Sequence, residues 1–179
     1  LDGKCENKVI RFDYGKLGIL GARHTLRKHF LESEFDYIIM LDDDAIIELD
    51  NSNVAQEYMN EIDKHPNGFC FLQYANSQLN LCAISKYIYE KEPIPNIDPQ
   101  KSEAFEDKIW AVLLHNKYPE REFLAPKGIR CTHFKNPNES VPSTWASQQK
   151  YDWKQLRENT LEIEKYIIEH KELPEKWKK

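Results

Sequence analysis

The stretch "YIIMLDDDAIIE", Tyr37 to Glu48, constrains this chain more than any other. Tyr37, Ile38, Ile39, Met40 and Leu41 form its most hydrophobic run and read as a short buried strand, apolar and partly β-branched. Asp42, Asp43 and Asp44 follow directly. Three adjacent carboxylates repel one another, and each needs water, a hydrogen bond or a cation. They can close the strand as a solvated turn, since Asp is common where strands end. They can equally form a cation site.

Length and charge narrow the function classes. The chain has 179 residues and a net charge of −5. That length suits one domain with a real core, at roughly 100–200 residues per domain. An acidic balance argues against nucleic acid or an anionic membrane as the main partner. No window approaches the roughly 18 uncharged apolar residues of a membrane span, and no signal-peptide pattern opens the sequence. Cys5, Cys70, Cys82 and Cys131 are far apart and show no metal-type pairing. Reduced, packed thiols in a cytoplasmic protein are therefore expected, with association at the cytoplasmic face of a membrane left open. A secretory lumen with one or two disulfides is the other reading. Leu1 in place of Met fits a fragment or a processed product.

Periodicity organises the rest as α/β. "KVIRF" (Lys8 to Phe12) reads as a strand feeding a turn punctuated by Gly15, Gly18 and Gly21. A helix is predicted from about Ala22 to Glu34, with Ala22, Leu26 and Phe30 on its buried face. After the aspartates, "NVAQEYMNEIDKH" has helical spacing through Val54, Tyr58, Met59 and Ile62, and "HPNG" ends it. "GFCFLQY" and "LNLCAI" read as adjacent antiparallel strands. "EPIPNIDP" is a loop. A helix capped by Ser102 follows, with Phe105, Ile109, Val112 and Leu113 on one face. "EFLAP" and "GIRCTHF" are late strands, and "NPNESVPSTW" is a polar loop. A last helix is expected from about Ser147 to His170, with Trp153, Leu156, Thr160, Ile163 and Ile167 as its seam and Pro174 as its stop.

Four features carry chemistry. In open α/β sheets ligands sit beyond the carboxyl ends of strands, which is where the aspartates stand. Asp42 and Asp44 are hard oxygen donors suited to Mn²⁺ or Mg²⁺. The "GKLGILGARHTLR" segment brings a glycine-containing turn to a helix start, where N–H groups and the dipole can hold an anion beside Gly21. Arg23 and Arg27 lie one turn apart on that helix, Arg27 being the more readily explained as an ordinary surface arginine. Glu106 and Asp107 fall in a first helical turn, where the dipole favours carboxylates, and either could serve as a general base. His133 ends a late strand as a metal ligand or a packed histidine. Among aromatic residues, Tyr74 and Trp145 are candidates for stacking on a ligand, whereas Trp110 reads as core.

The order of these motifs resembles the GT-A type glycosyltransferases. It runs from a "G-x-x-x-A-R" helix through an apolar strand, Asp-x-Asp, paired strands and Glu-Asp on a helix to a late His, over about Ile10 to His133. The resemblance implies a Rossmann-like mixed sheet flanked by helices, with a C-terminal helix. It implies residues 1–135 as the nucleotide-sugar-binding and catalytic core and 136–179 as a loop and helix packed on it. It further implies that Asp42, Asp43 and Asp44 bind the metal and the donor, that Arg23 contacts the donor nucleotide, and that His133 joins the metal. Asp107, within the pair Glu106-Asp107, would be the base of an inverting transfer. The donor would be a nucleotide diphosphate sugar, a UDP-sugar by preference, and the acceptor a hydroxyl of a glycan, lipid or protein. Such domains carry a β-α-β-α section ahead of the "AR" helix. That section is expected to lie outside this sequence, to come from a second chain, or to be reduced. A non-catalytic carbohydrate- or nucleotide-binding relative and a retaining transferase stay open as alternatives. A haloacid dehalogenase-type hydrolase fits less well, since Ala45 and Ile46 follow the aspartates.

Overall fold

The computed structural model of the protein describes residues 18–41, 45–49, 53–74, 78–95, 106–133 and 153–177. In chain order these form α1 (Gly18–Glu32), β1 (Tyr37–Leu41), β2 (Ala45–Leu49), α2 (Val54–Lys64), β3 (Phe69–Tyr74) and β4 (Gln78–Ser85). Then come α3 (Lys86–Lys91), α4 (Glu106–Lys117), β5 (Ile129–His133) and α5 (Trp153–His170), with 3-10 turns at Pro119–Arg121 and Glu175–Trp177. The fold is mixed α/β.

One sheet has the strand order β1-β4-β3, and β4 is antiparallel to both neighbours, so β1 and β3 run in the same direction. Side chains alternate across a strand, and the register sorts them into two faces. Ile38, Met40, Cys82, Ile84, Phe69 and Phe71 share one face and pack with Phe30 of α1, Ile88 and Tyr89 of α3, and Trp110 and Leu114 of α4. Tyr37, Leu81, Ala83 and Cys70 share the other, with Tyr58 and Ile62 of α2 and with Phe123 and Ile129. A second sheet pairs β2 with β5, antiparallel, from Ala45 opposite His133 to Leu49 opposite Ile129. Every ladder among the described residues is antiparallel, and Phe69 with Glu122 adds one parallel bridge. The Rossmann-like sheet expected from the sequence is therefore seen only at the coarser level of α/β.

α4 is buried on two sides. Trp110 and Leu114 face the sheet, while Ile109 and Leu113 meet Ile163, Ile167 and Leu173 at α5. The expected α5 seam is buried throughout from Leu156 to Ile167, and Thr160 returns its hydroxyl hydrogen to the Leu156 carbonyl at 2.8 Å. Lys108 and Glu164 pair across the two helices at 2.7 Å. Lys171, at φ 57°, closes α5 in the left-handed conformation by donating its N–H to the Ile167 carbonyl. Trp110 is a core residue: its ring is fully buried, lies edge-on to Phe71, and donates Nε1–H to the Glu92 carbonyl at 2.9 Å. The Glu92 carboxylate in turn receives Lys117 and the Tyr118 hydroxyl. Burial, and then that hydrogen bond, push the Tyr118 hydroxyl up to about 12.

Several elements depart from expectation. α1 begins at Gly18, so Gly18 and Gly21 are helical and not a turn. Gly21, inside the helix, costs roughly 1 kcal/mol against alanine, and the packing of Phe30 and Arg27 holds the helix against that cost. Met59 is exposed, because Tyr58 and Ile62 form the buried side of α2 and Met59 sits a step around the helix. In "EFLAP" only one rung forms: Phe123 donates to the Phe69 carbonyl and stacks on His65, while Leu124 is 88% exposed. α3 and β2 are elements that periodicity did not reveal. Ser85 caps α3, its hydroxyl accepting from Ile88 N–H at 3.3 Å. The proposed cap Ser102 and residues 147–152 of the last helix lie outside the described residues.

A candidate site at the carboxyl edge of the sheet

Chain direction collects the sequence motifs at one edge. α1 is joined to β1 by Ser33–Asp36 alone, and Phe30 shares a cluster with Ile38 and Met40. α1 therefore runs back along β1, and its 15 residues span about 22 Å against about 17 Å for the strand. Its amino half lies toward the carboxyl end of β1. α4 behaves likewise. After Lys117 the chain returns through Pro119–Arg121 to the Phe123–Phe69 rung at the start of β3, and Trp110 lies on Phe71 further along that strand. The amino end of α4, with Glu106 and Asp107, thus points toward the carboxyl end of β3. Because β1 and β3 are parallel to each other, both helix starts approach the same edge.

Asp42, Asp43 and Asp44 leave Leu41 at that edge and rejoin the described chain at Ala45; these three residues and Trp145 lie outside the described residues. Of Tyr74 and His133 the backbone positions are known. Tyr74 ends β3 at the same edge, opposite Gln78. His133 is the register partner of Ala45, one residue from Asp44. Antiparallel partners are about 4.5–5.5 Å apart at Cα, so the end of β5 lies beside Ala45, the residue that follows the aspartate run in sequence.

Arg23 and Glu106 meet. The Arg23 Nη1–H donates to Glu106 Oε1 at 3.0 Å across 83 residues of sequence, with side chains 20% and 4% exposed. The first turn of α4 favours an ionised Glu106, and the guanidinium supplies the cation a buried carboxylate requires. Asp107 is only partly buried, and its Oδ1 accepts the Lys108 N–H at 2.7 Å. Of the acidic pair, Asp107 is the member an incoming group can reach. Gly21 lies in the first turns of α1 and accepts the Thr25 hydroxyl at its carbonyl, at 2.8 Å.

Arg27 has a structural role. It donates to the Tyr89 and Glu90 carbonyls at 2.8 and 2.9 Å, at the carboxyl end of α3, and lies over the Tyr89 ring. The Tyr89 hydroxyl is buried and has no hydrogen-bond partner among the described residues. Burial and the neighbouring Cys82 push it up, and Arg23 and Arg27 act in the opposite direction. His24, between the two arginines, is held below its usual value by burial and then by Arg27. The Arg23–Glu106 pair and the Tyr89 hydroxyl beside it were not foreseen from the sequence. No local spacing links positions so far apart.

Among the described residues no three His, Cys, Asp or Glu side chains are placed to hold a metal ion. The aspartate run and the His133 side chain are not part of that set. By residue type alone, carboxylates and an imidazole are donors that a hard divalent cation accepts. Also among the described residues, no helix is long and apolar enough to cross a membrane. No protein-family model, no curated protein and no solved structure matches the chain.

Proposed function

We propose that the protein is a metal-dependent, inverting glycosyltransferase of GT-A type that moves a sugar from a nucleotide diphosphate donor, preferably a UDP-sugar, to an acceptor hydroxyl. The observation that carries this reading is the convergence at one sheet edge. The amino halves of α1 and α4 approach the point where Asp42–Asp44 leave β1, and β5 ends at His133 beside Ala45. Two helix starts far apart in sequence thereby reach the strand end that the aspartate run follows in the chain.

In this reading Asp42, Asp44 and His133 would hold Mn²⁺ or Mg²⁺, which would supply positive charge for the diphosphate leaving group. Asp43, Gly21 and Arg23 bind the donor, with the start of α1 favouring its negative charge. Asp107 takes the proton of the acceptor hydroxyl as that oxygen bonds to the anomeric carbon. The bond from that carbon to the diphosphate oxygen breaks, and the configuration inverts. Tyr74 and Trp145 line the acceptor side.

Asp107→Asn tests the assignment. Loss of a general base should lower turnover roughly 10²–10⁴-fold while nucleoside diphosphate still binds with Mn²⁺. A fall of less than about tenfold removes Asp107 as the base and points to a retaining transfer. Binding of nucleotide without transfer of any sugar by the wild type would identify a non-catalytic relative.

A further inference from the structure

We propose that Glu106 is a positioning residue and not a proton acceptor: it holds the Arg23 guanidinium at the carboxyl edge of the sheet as an anchor for the donor's diphosphate. The inference rests on the donor-binding reading above for what Arg23 holds. Its own basis is the geometry of the pair.

At 4% exposure the Glu106 carboxylate is closed to an incoming hydroxyl, and its Oε1 is committed to Arg23 at 3.0 Å. Arg23 keeps 20% of its side chain exposed, so the pair is a buried carboxylate with its cationic partner on the outer side. An arginine side chain loses considerable rotamer freedom when it binds an anion, and a guanidinium already fixed loses less. The planar fork also suits bidentate recognition of phosphate oxygens once its orientation is set. Placement supports the same role. Glu106 opens α4 and Arg23 lies in the amino half of α1, so the pair ties together the two helix starts that reach the carboxyl edge of the sheet. Arg27, four residues on, is spent on the α3 carbonyls, which leaves Arg23 as the arginine of that face directed to the edge.

The test uses the whole chain with UDP, GDP and inorganic pyrophosphate as probes, each with Mn²⁺, measured by calorimetry. Glu106→Gln keeps the shape and removes the charge. For the best-bound probe, affinity is expected to fall about tenfold or more in Glu106→Gln, in Arg23→Gln and, without further loss, in the double variant, which is the non-additivity of a coupled pair. Donor KM should rise with kcat little changed, and Glu106→Asp should recover part of the affinity. A kcat loss of about a hundredfold in Glu106→Gln with affinity intact would make Glu106 itself the base and overturn the inference. A lowered melting temperature with affinity and KM unchanged would overturn it too, leaving a structural ion pair. Either result leaves the glycosyltransferase reading standing. Failure of the wild type to bind any of the three probes would overturn both.

Discussion

A Cβ on Gly68 would lie 2.8 Å from the Arg121 carbonyl oxygen and 2.9 Å from that of His65. Both contacts are backbone, so neither neighbour can turn aside. The Gly68 N–H also donates to the Tyr37 hydroxyl at 2.7 Å, which fixes the end of the "HPNG" turn against β1. Gly68→Ala should cost about 1–3 kcal/mol, read as a lower urea midpoint with an unchanged slope; an unmoved midpoint would contradict the close approach. His24 gives a pH dependence whose sign is fixed. Its folded value lies below the ordinary 6.5, so the unfolded chain takes up the proton first. The stability contributed by neutral His24 is present above about 6.5 and declines as pH falls below it. Stability of His24→Gln should decline less over that window, and an identical decline in both proteins would refute the assignment. The core role of Trp110 was legible from helical position, whereas Arg27 reads as an ordinary surface arginine and in fact donates to the α3 carbonyls. The Arg23–Glu106 pair was not legible, because only the fold brings α1 and α4 together.

Elements were read best where one face alone is buried. α5 repeats its apolar residues at helical spacing over one side, and the seam from Leu156 to Ile167 is the buried one. Ile163 is fully buried between α5 and α4. Ile163→Ala should destabilise by about 2–5 kcal/mol, a large share of the roughly 5–15 kcal/mol typical of a domain, measured by chemical denaturation. A cost below about 1 kcal/mol would mean that α5 contributes little to the core. α4 was harder to read, since two buried sides blur its periodicity. α3 was missed for a different reason: six residues are too few to show a period, and only the Ser85 cap marks its start. "EFLAP" has strand composition but no room for a ladder, because Phe123 is captured by Phe69 and His65 and Leu124 points to solvent. Cys70 is another element-level probe. Burial, then the charge of Glu122, push its thiol up to about 12, so in the native protein it should resist alkylation until β3 opens. Rapid labelling of the Cys70 peptide in native buffer would contradict this packing.

At the scale of the molecule, the sequence conveyed the order of the motifs, and the fold brings the starts of α1 and α4 together. The starts of α1 and α4 reach the carboxyl end of β1 because α1 runs back along β1, α4 runs back along β3, and those strands share a direction. No periodicity could show this, since it depends on pairings such as Leu41 with Leu81 and Ala45 with His133. The ladders among the described strands are antiparallel, and the resemblance's Rossmann-like sheet is met there only at the level of mixed α/β. The central claim concerns chemistry at this edge: sugar transfer dependent on a cation held by the aspartate run. It is tested most directly by incubating the protein with a panel of nucleotide sugars and mixed acceptors, with and without Mn²⁺, and scoring release of nucleoside diphosphate. Release from one donor is predicted, lost on chelation and lost again in Asp44→Asn, with that variant's metal-free melting temperature close to wild type. Undiminished release by Asp44→Asn, or no release from any donor, would contradict the account.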